Sequence, residues 1–321
     1  NEAKTMAREI GYPAMVKAAA GGGGRGIRCV ENTDELVALF PIAQAEARSS
    51  FGSSELYVEK LIESSRHVEV HVLGDGKNVI HLGHRECYIQ RRYQKLLEES
   101  PSTSLVGKIS DRITRAAVRL ADSINYTGAG TVEFLLNPDG DFYFIEANTR
   151  VQVEHPVTEM ITGVDLVKLG IRVAAGESLP LSQDEIKFSG HSIQCRLNAE
   201  DPIHFVPSPG KLWDCHFPGG QGVRVDTHAH IGYEMPGCFD SLLAKLIVWG
   251  QNRDEAIAKM KAALVETTLI GVETVIPLHQ AILDEPDFIA RDVTIQYLET
   301  VSYTHLRAHE TRHDLVCRLL L

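Results

Sequence analysis

Glu133 lies inside the apolar run 131–136, and Glu146 closes a second apolar run, 142–145. Between the runs stand four turn formers, Asn137, Pro138, Asp139 and Gly140. A hairpin of the two runs sets the carboxylates side by side. That arrangement suits a hard divalent cation such as magnesium, which takes oxygen ligands and keeps substrate phosphate in its shell. Asn148, Arg150, Gln152 and Glu154 follow at alternate positions, so charged and amide groups crowd against the end of the hairpin.

Two further stretches offer phosphate chemistry. Residues 14–18 read as a short strand carrying Lys17, followed by the glycine-rich loop 20–26 and a second strand, 27–30. Glycine lets backbone N–H groups approach phosphate oxygens, and lysine adds a point charge. No Lys-Ser/Thr pair follows the glycines and no helix begins there, so this is not a Walker loop. A flexible linker would carry the same glycines; Lys17 and the flanking strands favour the phosphate reading. Gln90, Arg91, Arg92 and Lys95 form a basic cluster upstream of the paired acids. Glu59 and Lys60 sit at the end of the strand 56–62, where backbone groups could read an adenine edge.

These residues need a scaffold. Thr33 is expected to cap a helix over 34–49, with Leu36, Val37, Phe40 and Ala43 on one face. Residues 66–73 alternate, placing Val68, Val70 and Val72 opposite His67, Glu69 and His71. Asp75 and Gly76 predict a hairpin turn, with a return strand over 78–85. The spacing of Ile113, Ala117, Leu120, Ala121 and Ile124 predicts an amphipathic helix over 110–124. His155 and Pro156 break the strand pattern, and helices are expected over 158–162 and 165–175, stopped by Gly163 and Gly176. From Gly190 the chain is strand-rich, with Arg196 ending an apolar strand and a helix over 253–266.

Composition narrows the classes. The 321 residues suffice for about two domains. A net charge of −11 argues against a general nucleic-acid surface. No apolar run approaches the ~20 residues that span a bilayer, so no membrane association is expected. Cys29, Cys87, Cys195, Cys215, Cys238 and Cys317 are scattered without a C-x-x-C pair, which reads as reduced thiols in a cytoplasmic protein. The histidines are dispersed and do not suggest a metal cluster.

The motifs GYPAMVKAAAGGGGRGIR, YVEKLIESSRHVEVHVLGDG, IQRRYQKLLEE, GAGTVEFL, FYFIEANTRVQVEHPVTEMITGVDL, QCRLNAEDP and FDSLLAKLIVWG together resemble the biotin carboxylase family of ATP-grasp enzymes, from Gly11 to about residue 300. The resemblance implies an α/β (α+β) ATP-grasp fold with a biotin carboxylase C-terminal domain, divided into a partial lid over 1–61 and the main and C-terminal domains over 62–300. It implies ATP-dependent carboxylation of biotin on a carrier protein, with bicarbonate passing through carboxyphosphate. Carried over residue by residue, Lys17, Gly23 and Gly24 would hold ATP phosphates. Glu59, Lys60 and Ile62 would line the adenine pocket, and His67, Gln90 and Lys95 would face nucleotide. Glu133, Glu146 and Asn148 would hold Mg2+ or Mn2+. Arg150, Gln152 and Val153 would bind bicarbonate, Glu154 would be the base and Arg196 would steady biotin as it loses its proton. The implied partners are a biotin carboxyl carrier protein, a carboxyltransferase component and a second copy of the chain, as in fatty acid biosynthesis. The alternatives are another carboxyphosphate-forming enzyme of the carbamoyl-phosphate-synthetase kind, for which Arg196 is the discriminator, and a non-catalytic fragment.

The chain departs from the family pattern in places. Tyr93 replaces the usual histidine of QRRHQK, and Ala20 stands where glycine is common. The family's N-terminal Rossmann-like domain is expected to precede Asn1, so the chain reads as truncated. Residues 301–321 have no coherent period and read like a translated sequencing adapter, so they are expected to be non-native and no part of the fold.

Overall fold

The computed structural model describes residues 2–21, 26–91 and 94–298. Gly23, Gly24, Tyr93 and the suspected tail 301–321 lie outside the described residues. The chain divides into two compact units, Asn1–Ser65 with Arg91–Gln94, and Arg66–Gln90 with Lys95–Leu321.

The first unit holds α1 (Glu2–Ile10), β1 (Ala14–Ala18), β2 (Ile27–Val30), α2 (Thr33–Phe51) and β3 (Leu56–Lys60). β1 is the middle strand of a three-stranded sheet and runs antiparallel to both neighbours. Ala7, Ala14, Val16, Val30, Leu36 and Ala43 form its core. The helix cap is Asn32 rather than Thr33. Its side-chain oxygen accepts from the N–H groups of Asp34 and Glu35, both at 3.0 Å, which leaves Thr33 as the first helical residue. Asparagine is a stronger cap than threonine because its acceptor reaches both donors of the first turn. Leu36 and Ala43 are buried as expected, but Val37 is 45% exposed. Ala47, one turn beyond Ala43, completes the buried stripe instead.

The second unit begins with β4 (Arg66–Asp75), β5 (Val79–Arg91), β6 (Gln94–Ser100), α3 (Lys108–Ser123), β7 (Thr127–Leu136), β8 (Phe142–Asn148), α4 (His155–Thr162), α5 (Leu166–Ala174) and β9 (His191–Asn198). It continues through β10 (Gly210–Lys211), β11 (Asp214–His216), β12 (Val223–Thr227), β13 (Glu234–Met235), β14 (Leu242–Gly250), α6 (Arg253–Glu266), β15 (Thr268–Ile270), α7 (Ile276–Asp284) and α8 (Pro286–Ala290). Eight of these strands form one sheet in the order β12-β14-β9-β6-β5-β4-β7-β8. The described pairings within it are antiparallel. No described helix is long and apolar enough to cross a membrane.

Both predicted turns form. Gly76 takes φ 83° after Asp75, whose carboxylate accepts from the N–H groups of Lys77 and Asn78 at 2.9 and 2.7 Å. Gly140 also takes φ 83°, while Asn137 closes its turn by accepting from the Asp141 N–H at 2.8 Å. Left-handed backbone of this kind costs glycine nothing. The strand pattern is broken at His155 and Pro156 as expected, and the helix that follows begins at His155 rather than at residue 158. Pro156 sits in the first turn of α4, where a missing N–H goes unnoticed.

Strand period decides where the polar groups go. Val68, Val70 and Val72 of β4 and Val132, Phe134 and Leu136 of β7 pack on Ile113, Ala117 and Ala121 of α3. Alternation then sends His67, Glu69, His71, Thr131 and Glu133 to the other face. Leu120 and Ile124 of the predicted helix do not face inward; they are 37% and 62% exposed. The buried stripe runs 113, 114, 117, 121, leaving 120 at its edge and Ile124 at the helix end, where the stripe has rotated away.

β6 carries adjacent buried acids to opposite faces. Glu98 meets Arg196 and Gln194, whereas Glu99 meets His191 at 2.7 Å and Arg253 at 2.8 Å. Arg253, the first residue of α6, also donates to the carbonyls of Phe288 and Ile289 at 2.9 and 3.1 Å. It thereby ties α6 and α8 to the sheet. Removing one partner of a buried ion pair leaves an uncompensated charge, at a cost of about 3–5 kcal/mol. Arg253→Met is therefore expected to lower unfolding free energy by roughly that amount in urea, and an unchanged urea midpoint would refute the clamp.

Candidate functional site

Lys95, in β6, is the centre of the polar face. Its ammonium donates to Glu69 at 2.6 Å, to Glu133 at 2.9 Å and to Glu154 at 2.7 Å. Lysine has three N–H donors, so each is matched to a carboxylate. Burial pushes the Lys95 amine down, but the surrounding glutamates, Glu154 and Glu69 foremost, hold it well above its ordinary value. The ion stays charged.

Each carboxylate comes from a different element and has a second tether. Glu69 of β4 is buried, which pushes its carboxyl up; Arg85 and Lys95 outweigh this and hold it at about 2. Glu133 lies opposite Glu69 in the β4–β7 register. It accepts from Asn148 at 2.9 Å and Gln152 at 2.7 Å, and its other oxygen is 2.8 Å from His67 Nε2. Burial opposes its ionisation, but His67 and Lys95 prevail and keep it low. Glu154 precedes α4 and accepts from Lys95 on one oxygen and from Arg196 on the other, at 3.0 Å. Burial raises it, and Lys95 with Arg196 more than offsets the rise. Glu154 is therefore a buried carboxylate held in its ionised form.

Arg85 of β5 holds the floor beneath. Its Nε donates to Glu69. Its Nη1 meets His71 Nδ1 at 2.7 Å and Thr158 at 2.9 Å. Its Nη2 donates to Thr131 at 3.0 Å and Gln152 at 2.9 Å. That accounts for all five guanidinium N–H groups. His71 must accept at Nδ1, and burial, with Arg85 and His155 nearby, keeps its pKa well below 6.5, so it is neutral.

Glu133 and Glu146 are direct partners across β7 and β8, as the hairpin reading required. Asn148 reaches back from the end of β8, its amide nitrogen 2.9 Å from Glu133 and 3.2 Å from Glu146. An amide N–H lodged between two carboxylate oxygens marks a point of concentrated negative potential. A side-chain amide can turn about its last bond, so Asn148 can present oxygen to the same point. Two carboxylates and an amide oxygen are a donor set for magnesium or manganese, and these residues fit the ion. Two tighter groupings, His67–Glu69–Glu133 and Glu69–Cys87–Glu154, have ligand atoms within 4.8 Å of one another. Lys95 already serves as the cation for both.

Other expected residues fall into two groups. His67 and Gln90 meet through Nδ1 at 2.6 Å. Arg150 is exposed beside Asn148, 3.4 Å from its oxygen, and Val153 lies in the turn before α4. Lys17, Glu59, Lys60 and Ile62 belong to the first unit. There Lys17 pairs with Glu59, its diagonal neighbour across β1 and β3, while Lys60 donates to the Tyr12 carbonyl at 3.2 Å. Glu69, Arg85, Glu98 and Gln194 were not among the expected site residues. Glu69 had a visible signal, the polar side of an alternating strand. The other three stand in stretches where only the neighbouring strands give them a role.

Two families match the chain. The one described as "Carbamoyl-phosphate synthase L chain, ATP binding domain" covers residues 1–182, and the one described as "Biotin carboxylase C-terminal domain" covers residues 194–300. Biotin carboxylase of Nostoc sp. is 52% identical over 94% of this chain and 68% of its own. Biotin carboxylase 1 of Bacillus subtilis is 51% identical over 93% of this chain and 67% of its own. The chain thus spans about two thirds of the length of these relatives. Among solved structures, the biotin carboxylase domain dimer of Hydrogenobacter thermophilus 2-oxoglutarate carboxylase, in complex with MgADP, ADP and bicarbonate, superposes with a TM-score of 0.92 at 50% identity. It covers 95% of this chain and 67% of that one.

The depressed carboxylates set an acid limit. Glu69 sits at about 2 when folded against an ordinary 4.5, so its contribution to stability is complete above the ordinary value and is lost as pH falls toward the folded one. Lys95→Met removes the cation that three acids share, which raises them. Acid unfolding followed by circular dichroism is expected to begin at higher pH in Lys95→Met than in the parent; coincident acid limbs would contradict the assignment.

Proposed function

We propose that this chain, which belongs to the biotin carboxylase family, carries the ATP-dependent carboxylation of biotin. Because it spans about two thirds of its relatives' length, the whole enzyme's substrates and partners belong to the proposal. The observation that carries it is Glu154. One oxygen is bonded to Lys95 within the cluster that holds Glu133, and the other to Arg196 on β9. A single ionised base joins a nucleotide and metal end to a second, arginine-marked end.

The chemistry runs in two stages. Bicarbonate oxygen attacks the γ-phosphorus of ATP, and ADP leaves. Glu154 accepts the bicarbonate proton, and Arg150, Gln152 and Val153 hold the anion; a guanidinium fork suits its flat oxygens. The product, carboxyphosphate, breaks into CO2 and phosphate. Biotin N1′ then gives up its proton to the phosphate just released and attacks CO2, and Arg196 offsets the negative charge on the ureido oxygen. Lys95, His67 and Gln90 would face nucleotide, which for Lys95 means releasing one of its three carboxylates, and Glu133, Glu146 and Asn148 would hold magnesium, which would neutralise charge on the phosphates. In the first unit, Lys17, Glu59, Lys60 and Ile62 serve phosphate and adenine. For Lys17 this means leaving Glu59, since the two side chains pair in this structure. The first unit is read as the lid and the second as the catalytic body.

The Hydrogenobacter thermophilus relative, described with MgADP and bicarbonate, supports the ligand set. The match over residues 1–182 would also suit an enzyme of the carbamoyl-phosphate-synthetase kind. Arg196, in the second matched segment and bonded to the base, favours biotin. The proposed partners are a biotin carboxyl carrier protein, a carboxyltransferase component and a second copy of the chain, in the cytoplasm.

Phosphate release from ATP is expected to require bicarbonate and to rise on adding free biotin. Glu154→Gln should lower that rate by at least about 100-fold, within the range for loss of a general base, while ATP binding measured by calorimetry persists. ATP cleavage indifferent to bicarbonate would sink the proposal.

A further inference from the structure

Glu98 has no part in the chemistry above, yet it is an unusual residue. It is fully buried, and burial pushes its carboxyl up despite the pull of Arg196, with Glu154 adding to the rise. A second acid placed this close to Glu154 in a dry interior is costly, and glutamine or methionine would fill the same space without that penalty. Its bonds say what it does. Glu98 lies directly across β6 and β9 from Gln194, which donates to its Oε2 at 3.0 Å. Arg196 is two residues further along β9, so both side chains leave the same face. Its Nε donates to Glu98 Oε1 at 2.6 Å, and its Nη2 lies 2.6 Å from the same oxygen. Nη2 also reaches Glu154 at 3.0 Å. Among the described residues Nη1 has no hydrogen-bond partner. The Nε–Nη2 edge of the guanidinium is thus occupied by acids, and the end left over is Nη1.

We propose that Glu98 is a positioning residue for Arg196: with Gln194 steadying it from behind, it grips the Nε–Nη2 edge of the guanidinium and leaves Nη1 to meet the ureido oxygen of biotin. This rests on the role of Arg196 argued above. Arginine has a long, flexible stem, and one bond to Glu154 would leave the fork free to swing about it. The second, buried acid fixes the plane. Glutamine at 98 would keep the volume and an acceptor oxygen but lose the charge that makes the grip strong.

A double-mutant cycle on the purified protein, read as biotin-dependent ATP cleavage, tests this. Glu98→Gln is expected to lower kcat for biotin-dependent turnover at least tenfold, with KM for ATP within twofold. In an Arg196→Gln background the same change should add less than a twofold further loss, because the arm it steadies is gone. Glu98→Asp, which keeps the charge but draws it back, is carried through the same cycle and should fall between. A loss in Glu98→Gln or Glu98→Asp that persists undiminished without Arg196 would overturn the proposal, as would variants within twofold of the parent. If Arg196→Gln itself leaves the biotin-dependent rate unchanged, the role of Arg196 fails first.

Discussion

An ammonium ion has three N–H donors, and Lys95 gives one each to Glu69, Glu133 and Glu154. Those acids come from β4, β7 and the turn before α4. Without the cation, three buried carboxylates would repel one another across a low-dielectric space. With it, each remains ionised and pointed. The catalytic floor depends on this convergence more than on any apolar contact.

Arg85 does for the underside what Lys95 does for the top. Its five donors bind one acid, one imidazole, two hydroxyls and one amide. Gln152 is shared, accepting from Arg85 and donating to Glu133, so the orientation of a proposed bicarbonate ligand is set from below. The guanidinium itself is fully matched, while Nε2 of His71 in the same network is buried without a hydrogen-bond partner. The apolar side of the same strands, packed on α3, supplies the rigidity against which these polar groups are held.

Much of this was legible beforehand. The turns at Asp75–Gly76 and at Asn137 to Gly140 are local chemistry and formed as read. Glu133 and Glu146 pair as read, but through a register shift between Glu133 and Phe134; the turn alone would set Glu133 opposite Ile145. Errors arose where a local preference met a competitor. Thr33 lost the cap to Asn32, whose oxygen reaches two donors. Leu120 and Ile124 look like core on a helical wheel, but the contact stripe is narrower than the apolar one. The alternation over 66–73 suggested one apolar and one polar face; both are buried, because the polar face is the site itself.

By itself the sequence determined the strand periods, the turns, an acid on each arm of the hairpin and the motif set that carries the family resemblance, since these depend on neighbours along the chain. The tertiary structure decided the rest. Glu69, Arg85 and Glu98 acquire their partners from elements 16, 73 and 98 residues away, two of them strands and one the helix α4. A carboxylate's charge and direction depend on which cations are folded against it, and that is a property of sheet order, which no local pattern encodes.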